Sequence, residues 1–212
     1  KGSLGSYYSV RDYCAVDPCL GTMEDFDAFV AEAHRLGMKV LLDWIANHTA
    51  RDARWVTEKP ASWYERDASG APAVPWDWTD TAKLNYAERE VWRAQGDAME
   101  FWVREHGVDG FRCDMAMLVP IEFWNETAQR LRRVKPGLFM LAEAEETYLF
   151  DGGAFDACYA WEMHHLMNDV AQQRVRVTSL RDYIYADRRR YPRSAMRLAF
   201  TSNHDENSWN GS

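Results

Sequence analysis

Five short apolar runs, each closing on polar or acidic residues, restrict the possible folds of this chain more than any other feature. Lys39-Val40-Leu41-Leu42 leads into Asp43-Trp44-Ile45-Ala46-Asn47-His48. Val108 to Cys113 leads into Asp114, and Leu138 to Ala142 leads into Glu143. Phe155 to Ala160 leads into Trp161-Glu162, and Arg197 to Ser202 leads into Asn203-His204-Asp205. Unbroken apolar runs are the mark of parallel strands covered on both faces; a strand with one wet face alternates instead. Amphipathic stretches lie between them. The first, Met23 to Leu36, has Thr22 as its N-cap and Asp25 in its first turn, and it stops at Gly37. The second, Glu88 to His106, stops at Gly107. The third, Ile121 to Val134, opens after Pro120 and ends before Pro136-Gly137. Strand and helix in alternation, with buried strands, mean a parallel α/β fold.

Two parallel architectures compete. An open doubly wound sheet places a glycine-rich phosphate turn after its first strand, and neither GxGxxG nor GxxxxGK[ST] occurs here. A (β/α)8 TIM barrel draws its chemistry from the C-terminal ends of several strands, which is where the acidic residues fall. A full barrel takes about 250 residues, or roughly 31 per unit. The expectation is therefore a partial barrel over residues 1–212, about strands three to seven, with strands one, two and eight outside the sequence. Residues 49–87, rich in Trp, Pro and Asp, form a small inserted lobe after the third strand.

The formal charge of −8 argues against a nucleic-acid partner, which would need clustered Lys and Arg. The single basic run, Arg188-Arg189-Arg190, reads as the solvated end of a helix. No apolar run approaches the roughly 20 residues of a membrane helix, so no span is expected. Lys1-Gly2-Ser3-Leu4-Gly5 has none of the features of a signal peptide, and the compartment stays open. The four cysteines define no disulfide framework. Cys14 and Cys19 are near enough to pair, whereas Cys113 and Cys158 read as small buried hydrophobes. The 10 Trp and 10 Tyr suit sugar faces as well as core packing, with most assigned to packing.

Carboxylates at strand ends that share one mouth suggest glycosidic-bond chemistry. That reaction needs a proton for the leaving oxygen and a partner for the oxocarbenium-like centre. Asp43, Asp114, Glu143 and Asp205 would crowd together there, and crowding lets one of them stay protonated near neutrality. Arg112 lies two residues before Asp114, hence on the same strand face, where its guanidinium would keep Asp114 ionised. The competing explanation, acidic helix caps, is reasonable for any one of these residues but weak for all four with these neighbours.

Here the chain resembles glycoside hydrolase family 13, the α-amylase superfamily. GTMEDFDAFVAEAHRLGMKVLLDWIANH (Gly21 to His48) resembles the family's second helix and first conserved region. GFRCD (Gly110 to Asp114), LAEAEE (Leu141 to Glu146) and TSNHDEN (Thr201 to Asn207) resemble its second, third and fourth. The resemblance implies an enzyme that hydrolyses α-glucosidic bonds in malto-oligosaccharides or starch-type glucans through a covalent glycosyl-enzyme intermediate. It implies Asp114 as nucleophile, Glu143 as acid/base and Asp205 as the carboxylate that holds sugar hydroxyls as the ring flattens. It also implies that His48 and His204 bind hydroxyls of the same glucosyl unit and that Tyr8 stacks on it. Asp43 and Asn47 would be supports at the mouth.

Two departures carry consequences. Met117-Leu118 stands where many members have a Lys-His pair on the leaving-group side, which speaks against long-starch endo-specificity and would make that side drier. TAKLN (Thr81 to Asn85) resembles a calcium motif with Lys83 in the place of its aspartate, and an ammonium repels Ca²⁺. No metal or cofactor is therefore expected. A metallohydrolase barrel would want a His-x-His pair, which the chain lacks; His164-His165 are adjacent on one helix, and His34 and His106 read as exposed cations at helix C-termini. The alternatives within the fold are an α-glucan transglycosidase and a non-catalytic carbohydrate-binding relative.

Overall fold

The computed structural model describes residues 1–3 and 5–209. The N-terminal stretch leads to α1 (Met23–Arg35), β1 (Leu41–Trp44), β2 (His48–Ala50), α2 (Arg54–Glu58) and β3 (Thr81–Lys83). The chain continues through α3 (Arg89–Arg104), β4 (Gly110–Cys113), α4 (Ile121–Val134), β5 (Phe139–Ala142) and β6 (Ala157–Tyr159). It closes with α5 (Trp161–Ala171), α6 (Thr178–Arg190), β7 (Met196–Leu198) and α7 (His204–Trp209).

Among the described residues, β1, β4, β5, β6 and β7 form one parallel sheet in that spatial order. Each strand neighbours the next in sequence, as in a segment of barrel wall. The apolar runs explain why: β4 is buried along its whole length, with Phe111 and Cys113 fully enclosed beside Met140 and Ala142 of β5. The helices cover the outer face. In α4, Phe123, Trp124 and Leu131 are completely buried, each worth about 1.5–3 kcal/mol relative to exposure. Helix α1 begins with a reciprocal capping box, in which Thr22 accepts from the Asp25 N–H and Asp25 accepts from the Thr22 N–H, as its sequence predicts.

The segment between β1 and α3 has a sheet of its own. Strands β2 and β3 pair antiparallel, with His48 opposite Lys83, and Trp63, Tyr64, Ala82 and Leu84 form a separate small core. Tyr13 anchors the crossing from β1 by donating to the carbonyls of Ile45 and His48 at 2.6 and 2.9 Å.

Some expectations need correction. The last apolar run predicts a strand from Arg197 onward, but β7 covers only Met196–Leu198. The chain then leaves the sheet so that Phe200 can stack on the His164 ring at 4.7 Å and pack against Tyr159 and Trp161. His34 and His106 are not simple exposed cations. His34 pairs with Asp109 at 2.7 Å, and His106 pairs with Asp27 at 2.6 Å while packing on Phe26, Phe101 and Trp102. Each imidazole meets a carboxylate of a neighbouring unit: Asp109, just before β4, faces His34 of α1, and Asp27 of α1 faces His106 after α3.

Candidate active site

The register of the sheet sets the depth of the acidic residues. Cys113 of β4 lies opposite Ala142 of β5, so Asp114 and Glu143 leave the two strands in step. The Asp114 N–H donates to the Trp44 carbonyl, and the Glu143 N–H to the Cys113 carbonyl, each at 3.0 Å. The strands approach closely at the other end of this pairing. A Cβ on Gly110 would lie 1.9 Å from the Phe139 carbonyl oxygen, so only glycine fits. Directly after Asp114 the backbone turns left-handed at Met115, with φ of 41°. For a long side chain this is uncommon. The kink aims the Met115 N–H at Glu143 Oε2, 2.9 Å away.

Arg112 organises what lies above. Its Nη1 is 2.8 Å from both Asp43 Oδ1 and Asp114 Oδ1, and its Nη2 is 2.8 Å from Glu143 Oε1. The last contact is an ion pair without hydrogen-bond alignment, and the buried Nη2 makes no hydrogen bond among the described residues. Its Nε donates to the Tyr159 hydroxyl at 3.4 Å. Burial opposes the charge of this guanidinium, but Asp43 and Glu143 outweigh it and hold Arg112 firmly protonated.

The carboxyls themselves are pushed up. Burial, then repulsion from Glu143, raises Asp114 to about 7, while Arg112 pulls the other way. Burial raises Glu143 too, against Arg112 and the Met115 N–H. The expectation that the Arg112 guanidinium keeps Asp114 ionised therefore holds only in part: the two carboxyls retain a proton between them to near neutrality.

The other sequence-predicted residues gather around this pair. The Tyr8 hydroxyl lies 3.1 Å from Asp43 Oδ2 and 2.6 Å from His204 Nε2, with the Tyr8 and His204 rings stacked at 5.6 Å. Asp205 follows His204 in the first turn of α7. His48 is buried, with Nδ1 facing the Asn47 amide at 3.2 Å and Nε2 facing the Tyr8 carbonyl at 3.1 Å. Burial lowers it to about 4, so the ring is neutral, and these partners assign the proton to Nε2. That donor is engaged with the Tyr8 backbone rather than open to a sugar hydroxyl.

Tyr8, His48, Asp114, Glu143 and Asp205 line one cavity of about 320 Å³. The same cavity is lined by Ser6, Trp78, Asp80, Thr81 and Met115, none of which the sequence reading selected. Met117 and Leu118 are absent from that lining. Met117 turns into the main core instead, through the short 3-10 turn Ala116–Leu118, so the apolar wall expected of this pair is supplied by Met115.

The description "Alpha amylase, catalytic domain" matches residues 4–79 and 63–210. The chain belongs to the alpha-amylase family. Within that family it is 34% identical over 158 residues to alpha-amylase MalA of Haloarcula japonica, covering 70% of this chain and 23% of that protein. It is 35% identical over 154 residues to an alpha-1,4-glucan:maltose-1-phosphate maltosyltransferase of Arcanobacterium haemolyticum, covering 68% and 22%. A crystal structure of an alpha-amylase from Lactobacillus plantarum superposes with a TM-score of 0.88 at 34% identity, covering 97% of this chain and 52% of that one. The alpha-amylase segment seen here thus spans about a quarter of the curated relatives and half of the solved chain. Its five parallel strands are part of a TIM barrel.

Lys83 directs its ammonium to Glu65 at 2.9 Å. Among the described residues no three His, Cys, Asp or Glu side chains are grouped to hold a metal ion. The donor set at Lys83 does not fit a divalent cation.

Proposed function

We propose that this chain carries the catalytic site of a retaining α-glycosidase acting on malto-oligosaccharides or starch-type glucans. The observation that supports it best is one guanidinium holding Asp114 and Glu143, with both carboxyls lining a single pocket together with Asp205. Retention needs two carboxyls about 5–5.5 Å apart, one to attack and one to protonate. Asp114, gripped by Arg112, attacks the anomeric carbon. Glu143, whose Oε2 is steadied by the Met115 N–H, gives its proton to the leaving oxygen and then takes one from water. Asp205 binds sugar hydroxyls more tightly as the ring flattens, and Tyr8 supports the same ring. Asp43 and His204 fix the Tyr8 hydroxyl from either side. Every step uses this chain's carboxyl groups, and none is assigned to a metal or cofactor.

The test is the anomeric configuration of the first product, read by proton NMR during hydrolysis of maltotetraose. The α-anomer must appear before mutarotation; a β-anomer as first product overturns the assignment.

Transfer to a second sugar hydroxyl in place of water is the alternative on the same site. It is favoured by Met115, an apolar side chain at the pocket beside Glu143, and by the maltosyltransferase among the relatives. Longer oligosaccharides formed from maltotetraose would identify it.

A further inference from the structure

We infer that His164 of α5 is a positioning residue for Asp205, its buried ring gripping both ends of the segment that carries His204 and Asp205. The inference rests on the glycosidase reading above, in which Asp205 holds sugar hydroxyls. The three carboxyls are not placed in the same way. Asp114 and Glu143 follow their strands directly, and their side chains are only 9% and 8% exposed. Asp205 comes well after β7 has ended at Leu198, and its side chain is 42% exposed. The intervening Thr201 and Ser202 are exposed too, so sheet register does not fix this third carboxyl.

His164 supplies what the sheet does not. Its fully buried ring stacks on Phe200 at 4.7 Å and 12°, and its Nδ1–H donates to the Phe200 carbonyl at 3.2 Å. At the opposite edge Nε2 lies 3.1 Å from the Asn168 amide and 3.3 Å from Glu206 Oε2, a contact that is an ion pair when the ring is protonated. Phe200 and Glu206 bracket Asp205. Between them Asn203 Oδ1 accepts from the Glu206 N–H at 2.8 Å and so starts α7. An apolar ring would fill the same core volume and stack on Phe200 without bringing two polar nitrogens that must be satisfied. Here both nitrogens meet the Asp205 segment, one at each end. Helix α5 is tied in turn to the acid/base side, because the Glu162 N–H in its first turn donates to Glu145 Oε2 at 3.1 Å, in the loop that leads on from Glu143. One helix thus sets Asp205 relative to Glu143, and a small displacement of such a group is costly to rate.

The test combines kinetics on maltotetraose with amide exchange. His164→Ala should lower kcat about 10–100-fold and change KM less than about twofold, because Asp205 acts most in the transition state. In a chain that already carries Asp205→Asn, His164→Ala should cost less than about twofold more, since the two residues act as one unit. Glu206→Ala releases the same segment without opening a cavity beside α5, and it should show the same non-additivity. Amide exchange needs no turnover. The Glu206 N–H should exchange about tenfold faster in His164→Ala, while the Phe111 amide of β4 keeps its rate. A full loss from His164→Ala on top of Asp205→Asn, or a Glu206 amide that exchanges at its original rate, overturns the positioning role. The glycosidase reading fails separately: no product from the unsubstituted chain, with the Glu206 amide still released by His164→Ala, removes that reading and leaves the grip on the Asp205 segment standing.

Discussion

Arg112 meets three carboxylates at 2.8 Å, and this crowding governs how the site should respond to pH and to substitution. Asp114 is raised to about 7 by burial and by Glu143, so the pair keeps one proton through mildly acidic pH and loses it as pH rises past neutrality. A mechanism that needs one acid and one ionised nucleophile should lose kcat/KM on the alkaline side near pH 7. Because Arg112 lowers both carboxyls, Arg112→Gln should move that limb upward and reduce kcat by about 10²–10³-fold. A pH–rate profile checks both, and an unmoved limb would contradict the coupling. Asp114→Asn should cost about 10⁴-fold or more in kcat while maltotetraose still binds, read by kinetics and titration together. Arg112, Asp114 and Glu143 were legible in the sequence because strand ends announce themselves as apolar runs cut short by charge. Trp78, Asp80 and Met115 were not. Two of them belong to an irregular segment without periodicity, and Met115 reaches the pocket only through a left-handed backbone turn that side-chain pattern does not reveal.

At the scale of elements, the far end of β4 is as tightly specified as the end that leads into Asp114. Gly110→Ala would drive a methyl group into the Phe139 carbonyl and prise β5 away. A loss of about 1–3 kcal/mol or more is expected in urea unfolding. Asp109, one residue earlier, joins three elements: it accepts from the Val40 N–H and pairs with His34, Lys39 and Lys135. Burial opposes its ionisation, but these donors outweigh it and hold the carboxyl far below the usual range. With the folded value depressed, its stabilisation is complete above about pH 4, the unfolded value, and is lost as pH falls below it. Asp109→Asn should therefore cost about 1–3 kcal/mol at pH 7 and much less near pH 2, as chemical unfolding at the two pH values would show. The limits of α1, α3 and α4 and four of the five strands could be read from caps and apolar runs, α1 and α4 almost to the residue. Helix α2 and the premature end of β7 could not, since both are set by tertiary contacts, Phe200 on His164 among them.

For the whole molecule, the sheet order leaves β1 and β7 as edges. On β7, Met196 and Leu198 are 51% and 39% exposed, an apolar edge of the kind that seeks another strand. The chain on its own should associate with rising concentration, and Leu198→Lys should suppress this in light scattering without loss of helical signal. The order of the strands also brings residues 8, 114, 143 and 205 to one cavity although 197 positions separate the first from the last. Reaction with an activated fluoroglycoside, followed by peptide mapping, interrogates that convergence most directly. One glycosyl adduct on the Asp114 carboxylate, blocked by prior maltotetraose, is the predicted result. An adduct on Glu143 or Asp205, or turnover of the reagent with no adduct at all, would contradict it.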